Sequence, residues 1–161
     1  MERITAEDLD EKGRYNGELY LSGYRHPLPA GLRIVGGNLF LIDYRYHLPK
    51  ALVSVEDDLI LYGYPHPLPD GFVHVGGRLD LTGYNHPLPE GLTSAGGSMV
   101  MSGYPHPLPE GFKSVAGTLD LEGYDLPLPK GFRHVGGGLY LRRYYCRLPR
   151  GIGHLDWRRD P

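Results

Sequence analysis

The stretch that decides the fold runs from residue 79 to residue 92 and reads Leu79-Asp80-Leu81-Thr82-Gly83-Tyr84-Asn85-His86-Pro87-Leu88-Pro89-Glu90-Gly91-Leu92. Its pattern returns when the sequence is shifted by 20 residues in either direction. Seven units starting at 19, 39, 59, 79, 99, 119 and 139 align without an insertion or a deletion. A fixed period of this length is typical of solenoids, in which each repeat contacts only its neighbours. The sequence therefore predicts an elongated repeat protein.

The first four positions of each unit alternate between apolar and variable residues, as in Leu19-Tyr20-Leu21-Ser22. Alternation with a period of two predicts a short strand with one buried face. Because the units stack side by side about 4.8 Å apart, we expect a parallel sheet along one side of the solenoid. The outward positions of this sheet vary freely, as Tyr20, Phe40, Ile60, Asp80, Val100, Asp120 and Tyr140.

The rest of each unit holds a tyrosine, a Leu-Pro pair, a second apolar pair and, in most units, Gly-Gly. The tyrosine column is complete in all seven units, from Tyr24 to Tyr144, and so is the Leu-Pro pair. Proline fixes φ and biases the preceding residue toward extended backbone, so this segment is predicted to be extended with a short 3₁₀ turn. The predicted core consists of the two inward strand positions, the leucine of Leu-Pro, and the second apolar pair, such as Leu32 and Val35.

The repeat boundaries divide the chain into an N-terminal cap (1–18), a seven-repeat solenoid (19–158) and a C-terminal tail (159–161). Thr5 as N-cap, acidic residues in the first turn and Gly13 as the stop predict a short helix in the cap. The predicted fold class is an all-β repeat solenoid of seven 20-residue coils, with a parallel sheet on one side and little helix beyond this cap.

Composition and charge narrow the class of protein further. The 161 residues carry a net charge of −2, which drives no strong attraction to nucleic acid or membrane. The charge is uneven, since residues 1–18 hold six acids and three bases whereas residues 139–161 hold six arginines and two acids. The single cysteine, Cys146, excludes an internal disulfide. No apolar h-region or membrane-length apolar run is present, so the cytoplasm is the expected location.

The pattern Leu-Pro-x-Gly-Leu-x-x-Val-Gly-Gly-x-Leu-x-Leu-x-Gly resembles the short leucine-rich-repeat-like arrays of bacterial and phage proteins, over residues 19 to about 155. In those arrays a Leu-Pro corner also precedes a Leu-x-Leu strand, but asparagine usually follows the strand where this chain has tyrosine. The resemblance implies binding through the strand-lined face, without catalysis. It also suggests a small phage or bacterial inhibitor of a host protein. The resemblance implies a curved, horseshoe-shaped array, and a straighter β-solenoid is the alternative.

Two columns of aromatic side chains invite a ligand-binding interpretation. The histidine column consists of His26, His66, His86 and His106, and is interrupted by Tyr46, Leu126 and Cys146. Zinc requires four ligands in a tetrahedral array, and a straight column supplies at most two, so a packing or turn role is favoured. The tyrosine column could stack sugars or bases, but its presence in every unit favours an architectural role.

The second unit departs from the pattern at several positions. Asp43 replaces the usual glycine, and His47 follows Tyr46 where other units have His-Pro. Acids occupy the Gly-Gly-x positions as Glu56, Asp57 and Asp58. We predict a protein-contact surface formed by Asp43, His47, Glu56, Asp57 and Asp58 together with the outward residues Tyr20, Phe40 and Ile60. A decayed repeat is the alternative. The three acids could hold a hard cation, but no complete ligand loop is present, and no metal site is predicted.

The final unit is rich in arginine with interleaved aromatic residues. This composition suits phosphate and base contacts, so Arg142, Arg143, Arg147, Arg150 and Trp157 form an alternative, nucleic-acid-binding site. The competing interpretation is a solubilising cap in which Trp157 covers the last coil.

The sequence contains no recognisable catalytic constellation. No serine or cysteine stands at motif spacing from a histidine, and no Gly-rich loop opens a helix. We therefore predict no catalytic residue and no cofactor. The leading hypothesis is a non-catalytic module that binds a protein partner. Nucleic-acid binding at the arginine-rich end, and glycan or small-ligand binding along the tyrosine and histidine rows, are the alternatives.

Overall fold

The computed structural model describes residues 2–152 and the backbone of the strand Trp157–Arg158. It is a parallel β-solenoid with two sheets along its length, one of eight strands and one of seven. Coils are numbered by the repeat units, so that coil 1 spans 19–38, coil 2 spans 39–58, and coil 7 begins at residue 139. The predicted solenoid of 20-residue coils with a parallel sheet is confirmed.

The first sheet contains the strands predicted from the Leu-x-Leu pattern. Its strands are β2 (Leu19–Tyr20), β4 (Leu39–Phe40), β6 (Leu59–Ile60), β8 (Leu79–Asp80), β10 (Met99–Val100), β12 (Leu119–Asp120), β14 (Leu139–Tyr140) and β15 (Trp157–Arg158). Equivalent residues pair in register, as Leu79 with Met99. The Leu79 N–H group donates to Ser98 O at 2.9 Å, and the Leu81 N–H group donates to Val100 O at 3.0 Å. Both leucines are buried.

A second parallel sheet, which the sequence did not predict, lies on another side of each coil. Its strands are β1 (Arg14–Tyr15), β3 (Ile34–Val35), β5 (Ser54–Val55), β7 (His74–Val75), β9 (Ser94–Ala95), β11 (Ser114–Val115) and β13 (His134–Val135). Gly96 N–H, just after β9, donates to Val75 O of the preceding coil at 3.0 Å. The glycines that follow allow close stacking. A Cβ added to Gly97 would lie only 2.6 Å from the Gly77 carbonyl carbon.

The tyrosine column lies in the longer connection of each coil, between a first-sheet strand and the second-sheet strand that follows it, as Tyr44 lies between β4 and β5. Tyr84 and Tyr104 are buried, and their rings stack at 6.4 Å between centroids. The Tyr84 hydroxyl accepts from Leu68 N–H at 2.9 Å, and the Tyr104 hydroxyl donates to His86 O at 2.9 Å. The tyrosines thus satisfy backbone groups of a Pro-rich segment that has no sheet ladder of its own. This arrangement supports the architectural interpretation of the column.

The N-terminal segment forms an incomplete coil against coil 1. Ile4 is buried, and its N–H donates to the Tyr24 hydroxyl at 2.8 Å. A 3₁₀ helix spans Ala6–Asp8 and begins at the predicted N-cap, Thr5. The prediction that Gly13 ends this helix is wrong. The Asp10 carboxylate accepts the backbone N–H groups of Lys12 and Arg14, and Gly13 adopts φ 73° in a separate turn.

Within the described residues, no helix is long or apolar enough to span a membrane.

Candidate functional site

The outer face of the first sheet carries an apolar patch on its first three coils. The Tyr20 and Phe40 rings stack at 4.4 Å with an interplanar angle of 8°, and Ile60 follows on the next strand. Ile42 and Tyr62 lie just after the strands of coils 2 and 3, and Tyr62 is 56% exposed. We call these five residues the apolar patch. Asp80 ends it, because this carboxylate pairs with Arg78 at 2.6 Å.

The predicted contact residues Tyr20, Phe40 and Ile60 are therefore brought together, and sequence reasoning missed Ile42 and Tyr62. The signal for them was available. Other units have serine, threonine, glutamate or arginine at the equivalent position, as Ser22 and Thr82. Ile42 is half-buried and Tyr62 is exposed, and these two apolar side chains extend the patch beyond the strands.

The Glu56 carboxylate forms an ion pair within the chain. Both oxygens of its carboxylate accept from the Arg14 guanidinium, with Nη2 and Oε2 2.6 Å apart. Arg14 belongs to β1 and Glu56 follows β5, so the pair crosses the intervening coil over Gly36. A Cβ at Gly36 would lie 2.7 Å from Arg14 Nη2. The hydrogen bond from Arg14 lowers the pKa of Glu56 below its ordinary value.

Asp58 also has a partner within the chain. Its carboxylate accepts Arg78 N–H at 2.7 Å, and its own N–H donates to Asn38 Oδ1 at 3.0 Å. Asp57 is exposed, and its carbonyl accepts Gly77 N–H at 2.9 Å. Of the three predicted acids, only Asp57 has no side-chain partner among the described residues. The two other acids stabilise the turn between the sheets.

Asp43 lies at the opposite end of the first-sheet strand, in a turn where five other coils have glycine. It adopts φ 57°, a left-handed conformation that aspartate tolerates better than most residues. Its side chain lines a shallow cleft with Arg25, Arg45 and Tyr46.

His47 lies one position after the histidine column, and its ring stacks on the His66 ring with centroids 3.8 Å apart. Two of the column residues contact backbone carbonyls of the preceding coil, whereas His106 Nε2 is buried without a hydrogen-bond partner among the described residues. His66 Nε2 lies 2.7 Å from Arg45 O, and His86 Nε2 lies 3.0 Å from Pro65 O. Tyr46 makes the same contact, since its hydroxyl donates to Arg25 O at 2.8 Å. His66 and His86 therefore have the predicted turn role, with a backbone carbonyl of the preceding coil as the partner of each ring.

No cluster of three potential metal ligands occurs in the part of the chain that the structure describes.

Burial defines the chemistry of the tyrosine column. It raises the pKa of Tyr44, Tyr84 and Tyr124 to about 12. The rings are stacked on each other and buried, so they offer no free face to a sugar or a base. At ordinary pH these phenols are neutral donors and acceptors for the backbone.

The arginine-rich end is exposed around the last coil. Arg143, Arg147 and Arg150 are exposed, and Arg142 contacts the Glu122 carboxylate at 3.4 Å. Tyr145 is 86% exposed. The side chain of Trp157 lies outside the described residues, as does the predicted tail at 159–161.

No protein-family model, curated protein or solved structure matches this chain.

Proposed function

We propose that this protein is a non-catalytic binding module that occupies the surface of a protein partner through the apolar patch. The observation that carries the proposal is the stack of the exposed Tyr20 ring on the half-buried Phe40 ring, continued by apolar residues on coils 2 and 3. Aromatic side chains are enriched in protein interfaces and dominate their binding energy. The buried columns and the hydrogen-bond ladders account for the fold without this patch.

The proposal extends to an inhibitor that acts on a host protein, in keeping with the resemblance to short bacterial and phage repeat arrays. A rigid, preformed face of parallel strands loses little conformational freedom on binding, which favours affinity. Inhibition by occupancy requires no catalytic group and no cofactor. The cytoplasm is the proposed location.

The test uses two positions of the same column. A photoreactive amino acid at Phe40 should cross-link to a protein in an extract of the native host, and the same amino acid at Val100 should not. The partner is then purified, and its affinity is measured for Phe40→Ser and Val100→Ser. We expect Phe40→Ser to weaken binding at least about tenfold, a hot-spot effect of more than 1 kcal/mol. Equal affinity of both variants would refute the proposal.

Nucleic-acid binding at the last coil is the second candidate, because Arg143, Arg147 and Arg150 are exposed beside Tyr145. Including Arg142, four arginines could contact phosphates. For single strands, the logarithm of the binding constant should then fall with the logarithm of salt concentration with a slope of about −3. Arg147→Ala should reduce this slope by roughly 0.7. A salt-independent affinity would exclude this candidate.

A further inference from the structure

The turns of coils 1 and 2 place two arginines one coil apart. Arg25 and Arg45 occupy equivalent positions, where the later coils have proline, asparagine, aspartate or tyrosine. Equivalent positions of neighbouring coils are separated by about 4.8 Å. Both arginines are exposed, and both line the shallow cleft that also contains Ser22, Asp43 and Tyr46.

Neither arginine is neutralised within the described part of the chain. Arg14, Arg78 and Arg142 each have a carboxylate within 4.0 Å. Arg25 and Arg45 have none at that distance there, although Asp43 lines the same cleft. Their side chains carry like charges on backbone positions of neighbouring coils, and like charges that approach each other repel. An anion bound between them removes that repulsion and accepts charge-assisted hydrogen bonds from both guanidinium groups.

The cleft is continuous with the apolar patch. Tyr20 and Phe40 lie on the strands that lead directly into the turns holding Ser22 and Asp43. A ligand that covers the two rings and continues around the corner meets the two arginines next. The surface therefore combines an apolar contact with a positively charged one.

We infer that Arg25 and Arg45 bind the carboxylates of an acidic segment of the protein partner, beside the residues that pack on the apolar patch. The Asp43 carboxylate reduces the net charge of the cleft to about that of one cation. A singly charged carboxylate fits this balance better than a phosphate dianion, and the adjoining apolar patch suits a protein segment. The inference rests on the proposed function, since it names the partner's chemistry at that same surface.

The probe is the capped peptide acetyl-Phe-Glu-Glu-Phe-amide, and its control is the glutamine analogue acetyl-Phe-Gln-Gln-Phe-amide. Arginine Nε–H resonances of the labelled full chain are followed by NMR during titration. We expect saturable shifts at Arg25 and Arg45 with the glutamate peptide only. Arg33 and Arg133, exposed arginines that precede strands of the second sheet, serve as internal controls.

Variants sharpen the test. The double variant Arg25→Gln/Arg45→Gln should weaken binding of the glutamate peptide roughly fivefold to tenfold, as expected for the loss of two exposed charge pairs. The matched Arg33→Gln/Arg133→Gln variant should leave binding unchanged. Asp43→Asn should strengthen binding about twofold, because it removes a competing carboxylate. Circular dichroism melts check that each variant is folded.

Several outcomes would overturn the inference. These are absent or non-saturable shifts at Arg25 and Arg45, equal shifts at Arg33 and Arg133, and equal response to both peptides. Saturable shifts only with inorganic phosphate or a single-stranded oligonucleotide would replace carboxylate by phosphate chemistry. If Phe40→Ser abolishes binding of the native partner while Arg25→Gln/Arg45→Gln does not, this inference fails and the proposed function stands. If the peptide responds as expected and Phe40→Ser leaves partner binding intact, the proposed function fails instead.

Discussion

Coil 2 and coil 5 follow the same backbone path with different surface residues. In coil 5 the left-handed turn position is Gly103, at φ 66°, and in coil 2 it is Asp43, at φ 57°. In coil 2 the Tyr46 hydroxyl donates to a carbonyl of the preceding coil at 2.8 Å, whereas His106 Nε2, at the equivalent position of coil 5, is buried without a hydrogen-bond partner among the described residues. The irregular coil therefore makes a backbone contact that coil 5 lacks.

The two coils agree where they are buried. Coil 2 keeps the full set of core residues, namely Leu39, Leu41, Tyr44, Leu48, Leu52 and Val55, and all of them are buried. Its exceptions are confined to the surface, where Asp58 contacts both neighbouring coils and Glu56 pairs with Arg14 of the N-terminal segment. The comparison teaches that the buried columns specify the fold, while surface positions can vary from coil to coil and are available for binding.

The largest expected effect tests whether the two coils depend equally on the tyrosine column. Tyr44→Ala in coil 2 and Tyr104→Ala in coil 5 should each destabilise the protein by about 3–5 kcal/mol, as other truncations of buried aromatic residues do. Urea denaturation measures the free energy of unfolding. The exposed Tyr62→Ala is the control and should stay within about 0.5 kcal/mol of the parent. A cost at Tyr44 below about 1 kcal/mol would show that the irregular coil is loosely packed and would break the comparison.

The hydroxyl groups of the column should make stability fall at alkaline pH. The unfolded chain titrates its tyrosines near pH 10, whereas burial raises the pKa of Tyr44 and Tyr84 to about 12. Their contribution is therefore complete below about pH 10 and is lost as the pH rises toward 12. Each buried tyrosine adds up to about 1.4 kcal/mol per pH unit to this loss.

Tyr84→Phe removes one titrating group, so it should reduce the loss of unfolding free energy by up to about 1.4 kcal/mol per pH unit. At neutral pH it should cost about 1–3 kcal/mol, because the Leu68 N–H loses its acceptor. Denaturant unfolding at a series of pH values measures both effects. A constant free energy of unfolding between pH 9 and pH 11 would contradict the assignment.

The Arg14–Glu56 ion pair is expected to stabilise the N-terminal segment by less than a tyrosine hydroxyl does, because both side chains are partly exposed. Glu56→Gln should lower the melting temperature slightly and speed hydrogen exchange of the β1 amides. Because Arg14 lowers the pKa of Glu56, this stabilisation is present above the ordinary glutamate pKa and is lost as the pH falls below it. Glu110→Gln is the matched exposed control. If Glu56→Gln and Glu110→Gln behave alike, the Arg14–Glu56 ion pair does not stabilise the protein, and the prediction is wrong.

The smallest effect concerns the left-handed turn position. Arg143→Gly should stabilise the protein by roughly 0.5 kcal/mol. Glycine removes the backbone strain of a residue with a side chain at positive φ, and this gain slightly exceeds the cost of the conformational entropy that glycine adds to the unfolded chain. Asp43→Gly should gain less, since aspartate adopts this conformation more readily. Thermal melts of the two variants measure the difference. A larger gain at Asp43 would indicate strain in coil 2 that the regular coils lack.

The sequence predicted the parts of the fold that repeat with a strong pattern. The Leu-x-Leu strand is recognisable because apolar and variable residues alternate across four positions in every coil. The second sheet was missed because its apolar positions, such as Leu92 and Ala95, are three residues apart and glycines follow, so no alternation with a period of two is visible. The recurring valine before Gly-Gly, as in Val75 and Val135, was the available signal.

The repeat pattern could not predict side-chain contacts between residues that are far apart in the sequence. Glu56 was grouped with Asp57 and Asp58 because the three are adjacent in the chain. Its partner, Arg14, is 42 residues away and belongs to the N-terminal segment. The apolar patch was partly predicted, since the free variation of Tyr20, Phe40 and Ile60 in one column is visible in the sequence. Arg25 and Arg45 lie in a column that was not considered, because proline and turn residues dominate it elsewhere.

The backbone of this solenoid has only a small axial dipole, because the dipoles of successive peptide groups in a β-strand alternate in direction. N–H groups point both ways along the solenoid axis, since Leu81 N–H donates to Val100 O of the next coil and Gly96 N–H donates to Val75 O of the preceding coil. The peptide dipoles therefore largely cancel, whereas in an α-helix they add. The remaining axial field comes from side chains, with six acids and three bases before coil 1 and four arginines without an acid at residues 139–152. These groups are about 30 Å apart, several Debye lengths at physiological salt. Substitutions at the two ends can therefore reverse or erase the electric dipole of this protein without altering its backbone.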